Sequence, residues 1–190
     1  MGLDPEQLLA AAKETIDGVH EGAIIDTVIS QNEVSIYLRK EHLKAVLVAL
    51  RENPALKFEM LSDITSIDYL NLQREPRFDV VYHLYSLEHY HRLRLKCPVE
   101  ESDCSIDSIC ELWSGANYME REVYDLMGIE FDGHPDPRRI LMPDNWDGHP
   151  LRKDFPIGGS KSFYYKHDTN EYAGEPDDLV PRIRIQDTEI

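Results

Sequence analysis

Apolar positions recur along the first two-thirds of the chain with a spacing that switches between helix and strand. Leu8, Leu9, Ala12 and Ile16 form a helical stripe, with Asp4 placed to cap its start, Pro5 in the first turn and Gly18 closing it. Residues 23–30 are rich in β-branched side chains, Gln31-Asn32-Glu33 has the composition of a turn, and residues 34–38 alternate, which predicts a hairpin. Helical spacing returns over residues 40–53 through Leu43, Val46, Leu47 and Leu50, and Asn53-Pro54 stops it.

Further strands are expected over residues 56–70 (one strand, or two broken near Ser62-Asp63), 77–87 and 90–97. In the last of these His91, Leu93, Leu95 and Cys97 share one face, and Arg92, Arg94 and Lys96 the other. Residues 105–113 and 116–127 are expected as two helices separated by Ser114-Gly115. This order predicts an α+β protein, a two-layer sandwich of a mainly antiparallel sheet with helices.

After Gly128 the pattern stops. Seven of the 11 prolines lie beyond it, at positions 135, 137, 143, 150, 156, 176 and 181. A stretch so interrupted cannot build a core of its own. Its aromatics, Phe131, Trp146, Phe155, Phe163, Tyr164 and Tyr165, predict that it lies along another surface. The expected organisation is an α/β core domain over residues 1–128 and an extended, proline-rich C-terminal arm over 129–190 that docks on a partner.

Charge narrows the partners. With 20 Lys+Arg against 36 Asp+Glu, the net charge is -16, which excludes nucleic acid and anionic lipid as general targets. Basic clusters are expected instead to meet particular acidic surfaces. The row Arg92, Arg94 and Lys96 is either a solvated strand face or an interface. Cys97, Cys104 and Cys110 contain no CxxC pair, so this chain alone completes neither a tetrahedral zinc site nor an iron–sulfur cluster, and the odd count suits a reducing compartment. No apolar run approaches a membrane span and the start shows no leader pattern. A soluble chain is expected, held at any membrane by partners.

Three stretches could carry chemistry. On the helix at 116–127, Ala116, Met119, Val123 and Leu126 make the core face, and Arg121 and Asp125, four apart, are able to pair. Glu122 falls on the flank, as a partly buried carboxylate that either braces the helix or is tuned for proton transfer. Asp-Gly-His-Pro occurs twice, at 132–135 and 147–150. A stand-alone metal hydrolase would use His134 and His149 with Asp132, Asp136 or Asp147. The histidines, however, are 15 residues apart in proline-broken chain, with no third His or Cys at ligand spacing. Turn chemistry fits better: Gly takes positive φ, the following Pro holds His extended, and Pro fixes the exit. Arg138-Arg139 and Arg152-Lys153 lack the Gly-rich loop of a phosphate site, which directs them to carboxylates. No nucleophile elbow or triad spacing is present.

The stretch Ala116-Asn117-Tyr118-Met119-Glu120-Arg121-Glu122-Val123-Tyr124-Asp125-Leu126-Met127-Gly128-Ile129, followed by Phe131, His134-Pro135-Asp136 and Arg138-Arg139-Ile140-Leu141, resembles the signature of the 30 kDa-type subunit family of respiratory complex I, the C-type subunits of bacterial NADH-quinone oxidoreductases. Residues 146–156 and the preceding element order are also similar to that family. Pro137 departs from it, standing where the family usually has leucine and stiffening the turn. The resemblance implies a peripheral-arm subunit of a proton-translocating NADH:quinone oxidoreductase, on the cytoplasmic side of the bacterial inner membrane, that binds no cofactor itself. FMN, iron–sulfur clusters and quinone would belong to partner subunits. The arm would lie over the large quinone-site subunit, which forms the quinone cavity with a cluster-bearing neighbour. Glu120, Arg121, Glu122 and Asp125 would brace the interface helix, and His134, Arg138, Arg139, His149, Arg152 and Lys153 would set and dock the arm. A relative of complex I fed by ferredoxin, or a membrane-bound hydrogenase, is the alternative setting for the same module.

Overall fold

The computed structural model describes residues 3–156 and the backbone of two short strands, Phe163–Lys166 and Glu171–Gly174. Pro176 and Pro181, the side chains of Phe163, Tyr164 and Tyr165, and with them the outer part of the expected arm, lie outside the described residues.

The fold is α+β. A five-stranded mixed sheet runs in the order β1 (Ile24–Ser30), β2 (Glu33–Leu38), β5 (Arg92–Val99), β4 (Phe78–Tyr85), β3 (Met60–Asp68). Neighbours are antiparallel except β2 and β5, which are parallel. Gln31 and Asn32, at φ 51° and 66°, make the tight β1–β2 turn that the polar triplet predicts. The break expected near Ser62-Asp63 is a register irregularity between Leu61 and Asp63 inside one continuous strand.

Cross-strand rows explain the layering. Ile36, Leu95, Tyr82 and Ile64 lie side by side across four strands, as do Val34, Leu93, Leu84 and Leu61, and all eight are buried. Helices α1 (Pro5–Val19) and α2 (Leu43–Glu52) add Leu8, Ala12 and Ile16, and Leu43, Val46, Leu47 and Leu50, to the same core. α1 opens with the Asp4 carboxylate accepting the Gln7 N–H at 2.9 Å, and the Gln7 side chain accepts the Asp4 N–H in return. The opposite sheet face carries Ser35, Arg94, His83 and Asp63 in one row and Tyr37, Lys96, Val81 and Thr65 in the next.

Helix α3 (Ala116–Met127) packs on the edge strand β3 and ends in Gly128, left-handed at φ 71°. The helix expected over 105–113 does not form. Ser105–Asp107 is a short strand, β6, paired in parallel with β7 (Glu130–Asp132), and turns follow it. Ile106 and Ile109, whose spacing suggests a helix, are both in the core. The Ser108 N–H is taken by the Asp132 carbonyl at 2.9 Å and the Ile109 N–H by the Glu120 carboxylate at 2.7 Å, so neither donor is left for a helix ladder.

Candidate functional site

From β7 the chain turns back and runs along α3 as a strap, residues 133–154, in the same direction as the helix. His134 meets the Asn117 carbonyl near the start of α3, and Arg152 meets the Met127 carbonyl at its end.

The polar residues of α3 read this strap. Asp125 is fully buried and accepts three consecutive backbone N–H groups, from Ile140 at 3.0 Å, Leu141 at 2.7 Å and Met142 at 2.8 Å, on one oxygen. Its other oxygen accepts from Arg139 at 2.6 Å. Burial alone would raise this carboxyl, but the donors outweigh it and hold it below the usual carboxylate range. Arg121 donates to the carbonyls of Arg138 and Arg139, both at 2.9 Å. Arg121 and Asp125 therefore do not pair with each other as their spacing allows. Each reaches the strap instead, because a loop with several free N–H and C=O groups offers each charge more partners than one ion pair does.

The strap in turn completes the helix. The last carbonyls of an α-helix have no partner within it. Here Asp125 O accepts from His149 Nδ1 at 3.0 Å and from Arg139 at 3.1 Å, Leu126 O from the Leu151 N–H at 3.0 Å, and Met127 O from Arg152 at 2.6 Å. Two guanidinium groups thus sit at the negative end of the helix dipole. Arg139 also donates to the carbonyls of Trp146 and Gly148, which folds the strap around it. Two glycines permit the fit. A Cβ on Gly128 would lie 2.5 Å from the His149 ring, and one on Gly148, at φ 89°, 2.8 Å from Phe155.

A second clamp ties the strap's end to the sheet. The Arg77 guanidinium, buried at the start of β4, donates to both oxygens of Asp68 (3.0 and 2.8 Å) and both oxygens of Asp154 (2.8 and 3.1 Å), and pairs with Glu101 at 2.5 Å. Asp68 also accepts the Lys153 N–H at 2.8 Å. Against the opposing effect of burial, these donors bring the Asp68 carboxyl down to about 2.

The remaining predicted residues fall as follows. Glu122 is exposed, and Glu120 takes the buried position expected of it. Ala116, Glu120, Val123 and Met127 form the innermost stripe, turned by about a residue from the one read off the apolar spacing. Arg138 is exposed and pairs with Asp136, and Lys153 contributes its backbone N–H. His134 and His149 are not brought together: their carbonyl partners, Asn117 and Asp125, are eight residues apart on α3, about 12 Å. Both Gly-His-Pro bends have glycine at positive φ, 80° at Gly133 and 89° at Gly148.

Another trio does come close. Cys110 Sγ, a Glu120 oxygen and a His134 ring nitrogen lie within 4.8 Å of one another. Hydrogen bonding assigns it. His134 Nδ1 accepts the Asp136 N–H at 2.9 Å, so the proton sits on Nε2, which donates to Asn117 O at 3.1 Å. The nitrogen nearest Glu120 thus carries hydrogen rather than a metal-binding lone pair. Glu120 instead accepts from the Ile109 N–H and the Cys110 thiol, and burial pushes its carboxyl up. Asp68, Arg77 and Asp154 carry no local signal in the sequence, since Arg77 and Asp154 are 77 positions apart.

Together the fold and the clamps define a two-layer α+β protein whose most elaborate polar site grips a segment of its own backbone. Residues 36–161 match the family model described as respiratory-chain NADH dehydrogenase, 30 Kd subunit. The C-type subunit of the NADH-quinone oxidoreductase of Geotalea uraniireducens is 47% identical over 144 residues, which is 76% of this chain and 85% of that protein. The corresponding subunit of Roseiflexus castenholzii is 41% identical over 176 residues, 93% of this chain and 98% of the other. A solved structure described as the trypsin-resistant fragment (1-134) of Nqo5 superposes with a TM-score of 0.57 at 33% identity, covering 69% of this chain and 97% of the fragment. The chain belongs to the family of the 30 kDa subunit of respiratory-chain NADH dehydrogenase.

Proposed function

We propose that this chain is a non-catalytic, peripheral-arm subunit of a proton-translocating NADH:quinone oxidoreductase, and that its strap is the surface on which the large quinone-site subunit seats. Electron transfer from NADH through FMN and iron–sulfur clusters to quinone then takes place in the partner subunits, with this chain at the cytoplasmic face of the membrane. Among the described residues no helix is long and apolar enough to cross a membrane, and the proposal assigns attachment to those partners.

One observation carries the reading: the strap's polarity is inverted. Arg139, His149 and Arg152 are turned inward onto α3, while Leu141 and Leu151, 59% and 49% exposed, point out with Ile140. A segment fixed by buried polar bonds with its leucines facing outward is arranged to be covered by an apolar surface. The relatives' shared name supports the setting, and a body over residues 1–128 that carries a docking arm over 129–190 is the organisation the proposal assigns.

The test is a double variant, Leu141→Glu with Leu151→Glu, in the tagged chain expressed in place of its normal copy. Purification in mild detergent is expected to yield the folded variant without the other subunits, flavin or iron–sulfur clusters, and membranes that lack NADH:quinone reductase activity. A variant that co-purifies with the full set at normal activity overturns the proposal.

A further inference from the structure

The strap occupies one end of the sheet, where Arg77 and Asp154 meet and Arg152 lies over the Phe78 ring at 5.2 Å. The other end of the same strands, about 24 Å away along β4, carries the β4–β5 hairpin tip. This tip has its own unusual composition. Tyr90 sits in the left-handed region at φ 58°, where a bulky side chain is rarely held, and it is 74% exposed. Leu87 is 54% exposed, and Met60 on the neighbouring strand is exposed as well. The turn is rigid nonetheless: Tyr90 N–H donates to Ser86 O at 2.9 Å, Ser86 N–H to His91 O at 3.0 Å, and Leu87 N–H to the Glu59 carboxylate at 3.1 Å.

Two hollows flank the tip and share Glu33, Tyr85 and Arg92 in their walls, one of about 620 Å³ toward Met60 and Asp63, the other of about 540 Å³ toward Asn32 and the start of α1. The charges around them are not equally occupied. Glu33 is paired with Arg94 at 2.5 Å, and Asp4 is committed to capping α1. Arg92 lies over the Tyr85 ring at 5.7 Å and meets no carboxylate among the described residues, in a chain where acids outnumber bases 36 to 20. Exposed tyrosine and methionine beside an uncommitted arginine is the composition of an interface centre.

We propose that the hairpin tip, residues 86–92, is a second protein-docking surface. It receives a segment of a neighbouring subunit that presents a carboxylate to Arg92 and apolar side chains to Tyr90 and Leu87. The chain then bridges two neighbours, one at each end of its sheet. The bridge takes its assembly from the function proposed above, while the tip surface is independent of the strap.

Site-specific photo-crosslinking in the complex purified in mild detergent tests it, with benzoylphenylalanine placed at Tyr90 or, separately, at Leu141, and adducts identified by peptide mass spectrometry. Position 90 is expected to yield an adduct with another subunit at a peptide containing Asp or Glu, distinct from the peptide captured at 141. Adding Arg92→Glu is expected to lower the yield at 90 about tenfold while leaving that at 141 unchanged. An adduct at 141 with none at 90 overturns the second surface alone, as does an adduct at 90 between two copies of this chain or a yield at 90 indifferent to Arg92→Glu. Absence of adducts at both positions overturns this surface and the strap reading together.

Discussion

Asp125→Asn is the sharpest perturbation of the strap, because it keeps the shape of the side chain and removes its charge. The carboxylate serves two groups of donors: the N–H groups of residues 140–142 on one oxygen and Arg139 on the other. An asparagine has one acceptor oxygen. If it faces the three N–H groups, its amide nitrogen opposes the Arg139 guanidinium, and both become donors without an acceptor between them. Breaking one side of a buried ion pair costs about 3–5 kcal/mol, and Arg139 keeps its three carbonyl partners, which favours the lower figure. About 3 kcal/mol lies below the usual 5–15 kcal/mol of whole-domain stability, so the body stays folded and the loss appears as local opening. Hydrogen exchange of the Ile140, Leu141 and Met142 amides is expected to accelerate by about 10²-fold, with amides of β4 and β5 little changed. Exchange at those three amides within about threefold of the unaltered chain would refute the claim that Asp125 holds the strap.

Gly128→Ala places a Cβ 2.5 Å from the His149 ring on a residue at φ 71°, and a loss of about 2–4 kcal/mol with earlier tryptic cleavage at Arg139 and Arg152 is expected in denaturation and proteolysis experiments. The Asp68 carboxyl is shifted from 3.8 to about 2, so its clamp contributes on the order of 2 kcal/mol above pH 4 that is lost as pH falls toward 2. Arg77→Met should flatten that part of an acid titration of stability, and an unchanged acid profile would count against the clamp. Glu120 is shifted the other way, upward by burial, so its neutral form favours the fold and its contribution fades as pH rises through its folded value. Glu120→Gln is therefore expected to gain stability relative to the unaltered chain between pH 4.5 and 8, measured by urea melts. A difference independent of pH would contradict it.

The sheet was legible because its signal is local. Alternation in residues 90–97 and the turn at Gln31-Asn32 depend on residues within a few positions of each other, and period-two burial follows directly. The helical stripes of α1 and α2 were legible for the same reason. Residues 105–113 misled because Ile106 and Ile109 have helical spacing, whereas their backbone partners, Asp132 and Glu120, come from elsewhere in the chain. The stripe of α3 was misplaced by about a residue because a buried glutamate stands in it. Apolar spacing cannot register a carboxylate whose acceptors are used by a distant loop. The doubled Asp-Gly-His-Pro was half legible: its positive-φ glycines follow from the tetrapeptide, but the use of each histidine, on a carbonyl at either end of α3, depends on how the strap lies.

Polar clamping and apolar display suit each other for a physical reason. A strap held by burying its leucines would have fewer of them left to offer, and apolar contacts, being non-directional, would fix its position loosely. Hydrogen bonds are directional, and a buried acceptor left unpaired costs about 1–3 kcal/mol, so a small slide of the strap along α3 would be penalised at several carbonyls together. The helix end gains as well. Its terminal carbonyls, which would otherwise need water, are satisfied by Arg139, His149, Leu151 and Arg152. Stability of α3 and geometry of the strap are thus one coupled quantity. Mutations at the helix terminus should move the outward leucines, and mutations of the outward leucines should leave the helix terminus unmoved. That asymmetry separates a displayed surface from a core segment, in which both kinds of change would destabilise the same packing.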